Sequence, residues 1–286
     1  MNGVDETRML DVLREAAAAG AAVAMESFRT ELDVETKSGR FDRVTRVDRA
    51  VQRRVVESLS TAAPEVPVVG EESDARKRVP ETGPAWVVDP IDGTNNYVGG
   101  GHAWAVAVAA TRDGDPVAGV TDLPAVGDVY AVDTPERGGG ADDAAGPSGA
   151  GVVPVRNGDP IRVSDRSEPA AFTINPIFGF SDRQRRAHRR ALDTIFETFG
   201  DFRRVGCAQA ALAAVASGEI DAAVSTVELN PWDTVGGVRL IRAAGGTVTD
   251  ASGERWTPGA TGLVASNGNA HDRLVEAFDP TSDADT

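Results

Sequence analysis

The stretch Trp86-Val87-Val88-Asp89-Pro90-Ile91-Asp92-Gly93-Thr94-Asn95 constrains this chain more than any other. Its apolar start reads as a buried strand running into Asp89, and Pro90 then removes a ladder donor and is expected to end the pairing. Asp92 follows at a spacing that lets a tight turn aim both carboxylates at one point. Gly93 permits a close backbone approach, and Gly93-Thr94-Asn95 can open a helix whose free N–H groups face an anion. Carboxylates beside an anion cradle would repel each other and the anion unless cations lay between them. An Asp-Gly pair alone would be an ordinary strand end; the whole string asks for more.

Two further acidic places complete a constellation. Val68-Val69-Gly70-Glu71-Glu72-Ser73 ends a short apolar run in paired glutamates, and Asn230-Pro231-Trp232-Asp233-Thr234 puts a lone carboxylate at a helix start. Glu71, Asp89, Asp92 and Asp233 offer only hard oxygen ligands, which suit Mg2+ rather than zinc or copper. The rest of the composition agrees. Cys207 is the single cysteine, excluding an internal disulfide framework and a cysteine zinc cluster, and His102, His188 and His271 stand in unrelated contexts. Magnesium takes substrate phosphate readily as a ligand, so the residues point to phosphoryl hydrolysis by a metal-activated water.

The formal charge of −15 repels nucleic acid and anionic membranes. Of 29 basic residues only Lys37 and Lys77 are lysines. Acid excess with so little lysine is expected of a protein working in molar salt, where the Debye length shrinks to about 3 Å. No apolar run approaches a membrane span and the start of the sequence is acidic, so the expectation is a soluble, cytoplasmic protein.

Along the chain, an Ala-rich helix is expected from Asp5 to about Thr30, and a second from Asp48 as its N-cap through Val51, Val55, Val56 and Leu59. Strands follow at Val66–Val69, Trp86–Val88, Ala103–Ala110, Pro116–Val120 and Asp128–Val132, with turns at Asp113-Gly114 and Gly127. Residues 134–160, rich in Gly, Ala and Asp, read as a surface loop. Beyond it come strands at Ala171–Ile177, Ile220–Val227, Thr247–Thr249 and Leu263–Ala265, and helices at Arg183–Phe199, Ala208–Ser217 and Thr234–Ala244. The division is therefore an α+β half at 1–133 carrying most of the acidic ligands, the 134–160 loop, and an α/β half at 161–286 completing the site. Layered sheets and helices are the expected architecture.

Gly70-Glu71-Glu72-Ser73, Asp89-Pro90-Ile91-Asp92-Gly93-Thr94 and Trp232-Asp233, in this order, resemble the three metal-binding motifs of the inositol monophosphatase family. Asp48, within Val44-Thr45-Arg46-Val47-Asp48, is similar to the family's upstream acidic position. The resemblance covers essentially the whole chain outside 134–160, and is nearest to the archaeal type that acts on both inositol 1-phosphate and fructose 1,6-bisphosphate. It implies an α/β fold layered αβαβα, a homodimer, and hydrolysis of small sugar or polyol phosphates with two or three Mg2+ ions. By the same resemblance Glu71, Asp89 and the Ile91 carbonyl hold one ion, and Asp89, Asp92 and Asp233 a second. Gly93 and Thr94 give backbone donors to phosphate, while Asp48, Thr94 and Glu71 activate the nucleophile. Substrate is expected against Ile91, Asp92, Gly93, Thr94, the Gly206-Cys207-Ala208 turn and Asp233.

The sequence departs from that pattern at the substrate wall. The family's hydroxyl-binding glutamate aligns without gaps on Thr226, while Glu228 lies two residues later, and Cys207 replaces a more usual threonine. Two other readings stand beside the first: a 3′-phosphatase on adenosine 3′,5′-bisphosphate, and a non-catalytic protein of the same fold that binds RNA machinery. Arg183, Arg185, Arg186, Arg189 and Arg190 around His188 read as a solvated helix face, with an anion or subunit contact as the sharper alternative. Cys207 reads as a packing residue, and Gly99-Gly100-Gly101 as a hinge beside the site.

Overall fold

The computed structural model describes residues 8–31, 34–36, 43–72, 75–133, 152–178 and 185–279. Ser73, Lys37, Arg183 and residues 134–151 therefore lie outside the described residues, as does the side chain of Arg185. Helix α1 (Met9–Ser27) precedes a short antiparallel pair, β1 (Val34–Thr36) and β2 (Arg43–Thr45), and then α2 (Arg46–Ala62). Asp48 is not the N-cap of α2 but lies in its first turn, where a carboxylate complements the positive end of the helix dipole.

Among the described residues the larger sheet has the order β3-β4-β5-β6-β7-β8-β9. Its strands are β3 (Val68–Gly70), β4 (Pro84–Asp92), β5 (Ala105–Arg112), β6 (Asp115–Leu123), β7 (Asp128–Val132), β8 (Val155–Arg156) and β9 (Asp159–Pro160). The β5–β6 turn is made by Asp113 and Gly114, both at positive φ, as a tight hairpin requires. Asn157 and Gly158 repeat that chemistry between β8 and β9. The expected 134–160 loop is thus corrected at its end: Val155 to Pro160 form a hairpin that extends the sheet through the pairing of Tyr130 with Arg156.

The smaller sheet, β11-β10-β12-β14-β13, comprises β10 (Thr173–Pro176), β11 (Asp201–Phe202), β12 (Ala222–Ser225), β13 (Thr247–Thr249) and β14 (Leu263–Ser266). Helix α3 (Thr94–Val98) follows β4 directly; α4 (Arg185–Thr198), α5 (Ala208–Ala216), α6 (Pro231–Ala243) and α7 (His271–Phe278) follow later. The short β1, β2 and β11, and α7, have no counterpart in the expectations above.

Strand alternation sorts the core into layers. Trp86 and Val88 of β4 pack with Leu13 of α1 and Val55 and Leu59 of α2, whereas Ala85 and Val87 face Leu212 of α5 and Val235 and Val238 of α6. Ala223 and Ala265 of the smaller sheet join that second cluster, and Val224 and Val264 turn away toward Ile195 of α4 and Leu274 and Phe278 of α7. The result is a stack of helices, sheet, helices, sheet, helices. Each sheet is covered on both faces, which is why its strands read as continuous apolar runs.

Candidate metal and phosphate site

Pro90 does not end the strand. On β4 the chain advances from Asp89 to Asp92 while β5 advances only from Ala107 to Ala105, so one extra residue is accommodated in a bulge. In a regular strand, positions three apart point to opposite faces. The bulge cancels that inversion and turns Asp89 and Asp92 toward one side. Proline is tolerated because no ladder partner is assigned to Pro90 or Ile91, so its missing N–H costs no pairing.

Gly93 follows at φ +85°, and its carbonyl accepts the N–H groups of Asn96 (2.8 Å) and Tyr97 (3.0 Å). A Cβ there would stand 2.9 Å from the Ala103 carbonyl oxygen and 3.0 Å from Cys207 Cβ. Only glycine fits both the dihedral and the space. The neighbouring Thr94 hydroxyl lies 3.0 Å from the Ile91 carbonyl and 3.3 Å from Asp48 Oδ1, so its single proton serves one acceptor at a time. Asp48 is buried, at 1% exposure, and reaches the site from α2.

Asp92 is held by the start of α5. Its Oδ1 accepts from Ala208 N (3.1 Å), and its Oδ2 accepts from Gln209 N (2.5 Å) and Cys207 Sγ (3.1 Å). A carboxylate from β4 thereby satisfies helix N–H groups that would otherwise be orphaned. Cys207 packs in the core at 3% exposure, yet it also joins this network, accepting from Ala210 N at 3.4 Å. Burial, then the nearby Asp92 carboxylate, pushes its thiol well up, so it stays protonated and donates. Asp233 stands in the first turn of α6, where its Oδ2 accepts from the Asn230 backbone (3.3 Å) and side chain (3.0 Å). That capping box fixes the carboxylate's orientation.

The glutamate pair divides. Glu72 turns toward α2: its N–H donates to Gln52 Oε1 (2.8 Å) and its carboxylate lies 3.9 Å from Arg49. Glu71 faces the aspartates, and its charge helps raise the pKa of both Asp89 and Asp233. Asp89, Asp92 and Asp233 each offer an oxygen, and these atoms all lie within 4.8 Å of one another. Burial, and then Glu71, Asp92, Asp233 and Asp48, drive Asp89 well above the ordinary carboxylate range. Asp233 is pushed up to about 8, by burial first and then by Asp92 and Glu71. Asp92 rises by burial, while the N–H of Gln209, the Cys207 thiol and the N–H of Ala208 restrain it.

This donor set fits hard divalent cations. Asp89 is 2% exposed and its Oδ1 is buried without a hydrogen-bond partner among the described residues. An orphaned buried carboxylate oxygen facing two more carboxylates is costly unless a cation takes it up.

Of the substrate-wall residues, Gly206 and Ala208 flank Cys207 beside Gly93, while Glu228 is exposed and Thr226 carries a buried Oγ1 with no hydrogen-bond partner among the described residues. Gly100 is tied to Arg29 through its carbonyl (3.1 Å), and Gly101 N–H donates to the Asn96 carbonyl (2.8 Å), so this run is pinned. On α4, Arg186, Arg189 and Arg190 are exposed and His188 is buried, stacked 4.2 Å from Phe178. Three organising residues escaped the sequence reading. Gln52 holds Glu72; Gln209 donates Nε2 to the Trp232 carbonyl (2.7 Å); Asn96 donates to the carbonyls of Ala103 (2.6 Å) and Val205 (2.9 Å). A neutral amide carries no local signal for such work, because its partners lie on distant segments of the chain.

The profile of the inositol monophosphatase family matches residues 5–282. A fructose-1,6-bisphosphatase/inositol-1-monophosphatase from Aquifex aeolicus is 30% identical over 273 residues, 94% of this chain and 94% of that protein. A histidinol-phosphatase from Streptomyces coelicolor is 32% identical over 287 residues, 95% of this chain and 96% of that protein. Among solved structures, an inositol monophosphatase from Anabaena (Nostoc) superposes with a TM-score of 0.78 at 28% identity, covering 95% of each chain.

Proposed function

The chain belongs to the inositol monophosphatase family, and on that premise we propose that it is a Mg2+-dependent phosphomonoesterase of small polyol or sugar phosphates, inositol 1-phosphate and fructose 1,6-bisphosphate foremost. One observation carries the reading. Three carboxylates, two from β4 and one from the start of α6, converge within 4.8 Å, in an environment that resists their ionisation. A structural acid cluster gains nothing from such crowding, whereas a cation site requires it.

In this proposal Glu71, Asp89, the Ile91 carbonyl, Asp92 and Asp233 hold the metal. Magnesium, when bound, lowers the pKa of a water and neutralises charge on attacking and leaving oxygens. The protein's own groups do the rest. The N–H groups of Gly93 and Thr94 receive the phosphate where the αL turn opens α3. Thr94 Oγ1 takes a hydrogen bond from the attacking water while its own proton turns to Asp48, 3.3 Å away. Glu71 assists in activating that water. Asp92, fixed by α5, and the Gly206-Cys207-Ala208 turn border the leaving group, with Thr226 or Glu228 against its hydroxyls.

The same proposal includes a homodimer working in a salt-rich cytoplasm. Family membership supports the dimer, and the −15 charge with two lysines supports the salt.

Phosphate release from myo-inositol 1-phosphate, fructose 1,6-bisphosphate, histidinol phosphate and adenosine 3′,5′-bisphosphate, with Mg2+ or EDTA and in dilute or molar KCl, tests the function. Turnover of the first two that EDTA abolishes is the expected result. Preference for the last would move the assignment to a 3′-phosphatase, and no turnover of any would remove the catalytic reading.

A further inference from the structure

Lys77 is one of only two lysines among 29 basic residues, so arginine does nearly all the cationic work of this chain. Its surroundings give a geometric reason for the exception. Past β3 the chain folds back: Ala75 N–H donates to the Glu72 carbonyl (3.2 Å), Arg76 N–H to Val68 (3.1 Å), and Gly70 N–H to the Arg76 carbonyl (3.0 Å). This return lays Lys77 beside the turn that carries Glu71. Its ammonium donates to the carbonyls of Gly70 (2.9 Å), Glu71 (2.8 Å) and Glu72 (2.9 Å).

An ammonium has three N–H donors in a compact, roughly tetrahedral head, and each finds a carbonyl on consecutive residues. Three carbonyl oxygens drawn to one point build a strongly negative potential, and they lie on the turn that carries Glu71 to the acidic cluster. Without a cation there the turn would relax to part them. A guanidinium is a planar fork and cannot direct its donors to three oxygens converging on a point. The same Nζ also sits 5.3 Å from the centroid of the Trp232 ring, within cation–π range. Trp232 immediately precedes Asp233 and is itself anchored through its carbonyl to Gln209. One charged head therefore touches both the turn bearing Glu71 and the helix start bearing Asp233.

We propose that Lys77 is a positioning residue: its ammonium, caged by the carbonyls of residues 70–72 and seated on Trp232, sets Glu71 against Asp233 and so preorganises the metal site. The role rests on the metal-dependent reading above, but concerns a residue that need not touch metal or substrate. Supports of this kind are worth ~10–100-fold in metal affinity.

The test is calorimetric titration of the full chain with MgCl2, for wild type, Lys77→Met and Lys77→Arg, with melting in EDTA alongside. K77M should bind Mg2+ ~10–100-fold more weakly and need correspondingly more Mg2+ for half-maximal rate, with kcat at saturating Mg2+ within about threefold of wild type. Lys77 is an exposed side chain, so melting in EDTA should move by only a few degrees. K77R retains the charge and the ring contact but not the cage, and should fall between the two. Mg2+ affinity unchanged within about twofold in K77M overturns the proposal, and so does K77R binding as tightly as wild type, since charge alone would then suffice. Wild type that takes up no Mg2+ overturns the metal reading and this inference together, whereas wild type that binds while K77M binds equally removes only the role of Lys77.

Discussion

Replacing Asp89 by asparagine should move stability and activity in opposite directions. Its carboxylate faces those of Asp92 and Asp233, with oxygens of all three within 4.8 Å. At that separation and an effective dielectric constant of ~20, each ionised pair costs about 3.5 kcal/mol. Proton uptake limits the strain: Asp233 is pushed up to about 8, and Asp89 is raised well above the ordinary carboxylate range by burial and its neighbours, so part of the repulsion is avoided at neutral pH. Acids whose folded pKa is raised stabilise the fold while protonated, and that contribution is lost as pH rises through the folded value. Above pH 8, in EDTA, D89N should therefore gain ~2–4 kcal/mol, on the order of 3–7 °C in Tm for a chain of this size. The gain should fade toward pH 4, where protons already do the same work. The new amide can donate to the remaining carboxylates, so no polar group is stranded. With Mg2+ the sign reverses, because a neutral oxygen is a poor ligand, and turnover should fall at least ~10³-fold. Scanning calorimetry at two pH values, paired with phosphate release, decides it. A D89N protein that melts lower in EDTA at high pH, or keeps a tenth of the wild-type rate, would refute the electrostatic argument.

Three further outcomes are expected. Asp122 on β6 is pushed up to about 6 by burial alone, so Asp122→Asn should stabilise by ~1–3 kcal/mol at pH 8 and leave melting at pH 4 unchanged; equal effects at both would exclude ionisation as the cause. Gly93→Ala must carry a Cβ 2.9 Å from the Ala103 carbonyl at φ +85°, costing ~2 kcal/mol or more and at least ~10-fold in kcat; a fully active variant would show that the turn is not the phosphate cradle. In EDTA the melting temperature should climb from about 0.1 to about 2 M KCl, with Mg2+ shrinking the dependence, because salt screens the −15 charge; a flat curve would make the acid excess ordinary decoration.

The parts of this molecule that read well from sequence are those whose chemistry is local. Asp89, Asp92 and Gly93 share one short string, and Asp113-Gly114 names its own hairpin. Pro90 misled because a proline at a bulge and a proline at a strand end look alike in sequence; only the pairing of β5 shows that the ladder resumes at Asp92. Which glutamate of the pair faces the aspartates depended on Gln52, nineteen positions upstream of Glu71, and the grip on Asp92 depended on Gln209 far downstream. The role of Lys77 depends on the chain after β3 folding back on the Glu71 turn, which no local pattern announces. Short elements such as β11 and α7 were passed over because they are stabilised by docking on Phe172 and Val264 rather than by a pattern of their own.

The acidic constellation is proposed to hold divalent cations against a phosphate. Crystals of the protein grown with MnCl2 and inorganic phosphate, with data collected at the manganese absorption edge, test it without reference to turnover. Anomalous peaks bounded by Glu71, Asp89, the Ile91 carbonyl, Asp92 and Asp233 are expected, with phosphate against the N–H groups of Gly93 and Thr94. Manganese absent from those carboxylates, or phosphate seated elsewhere, would contradict it.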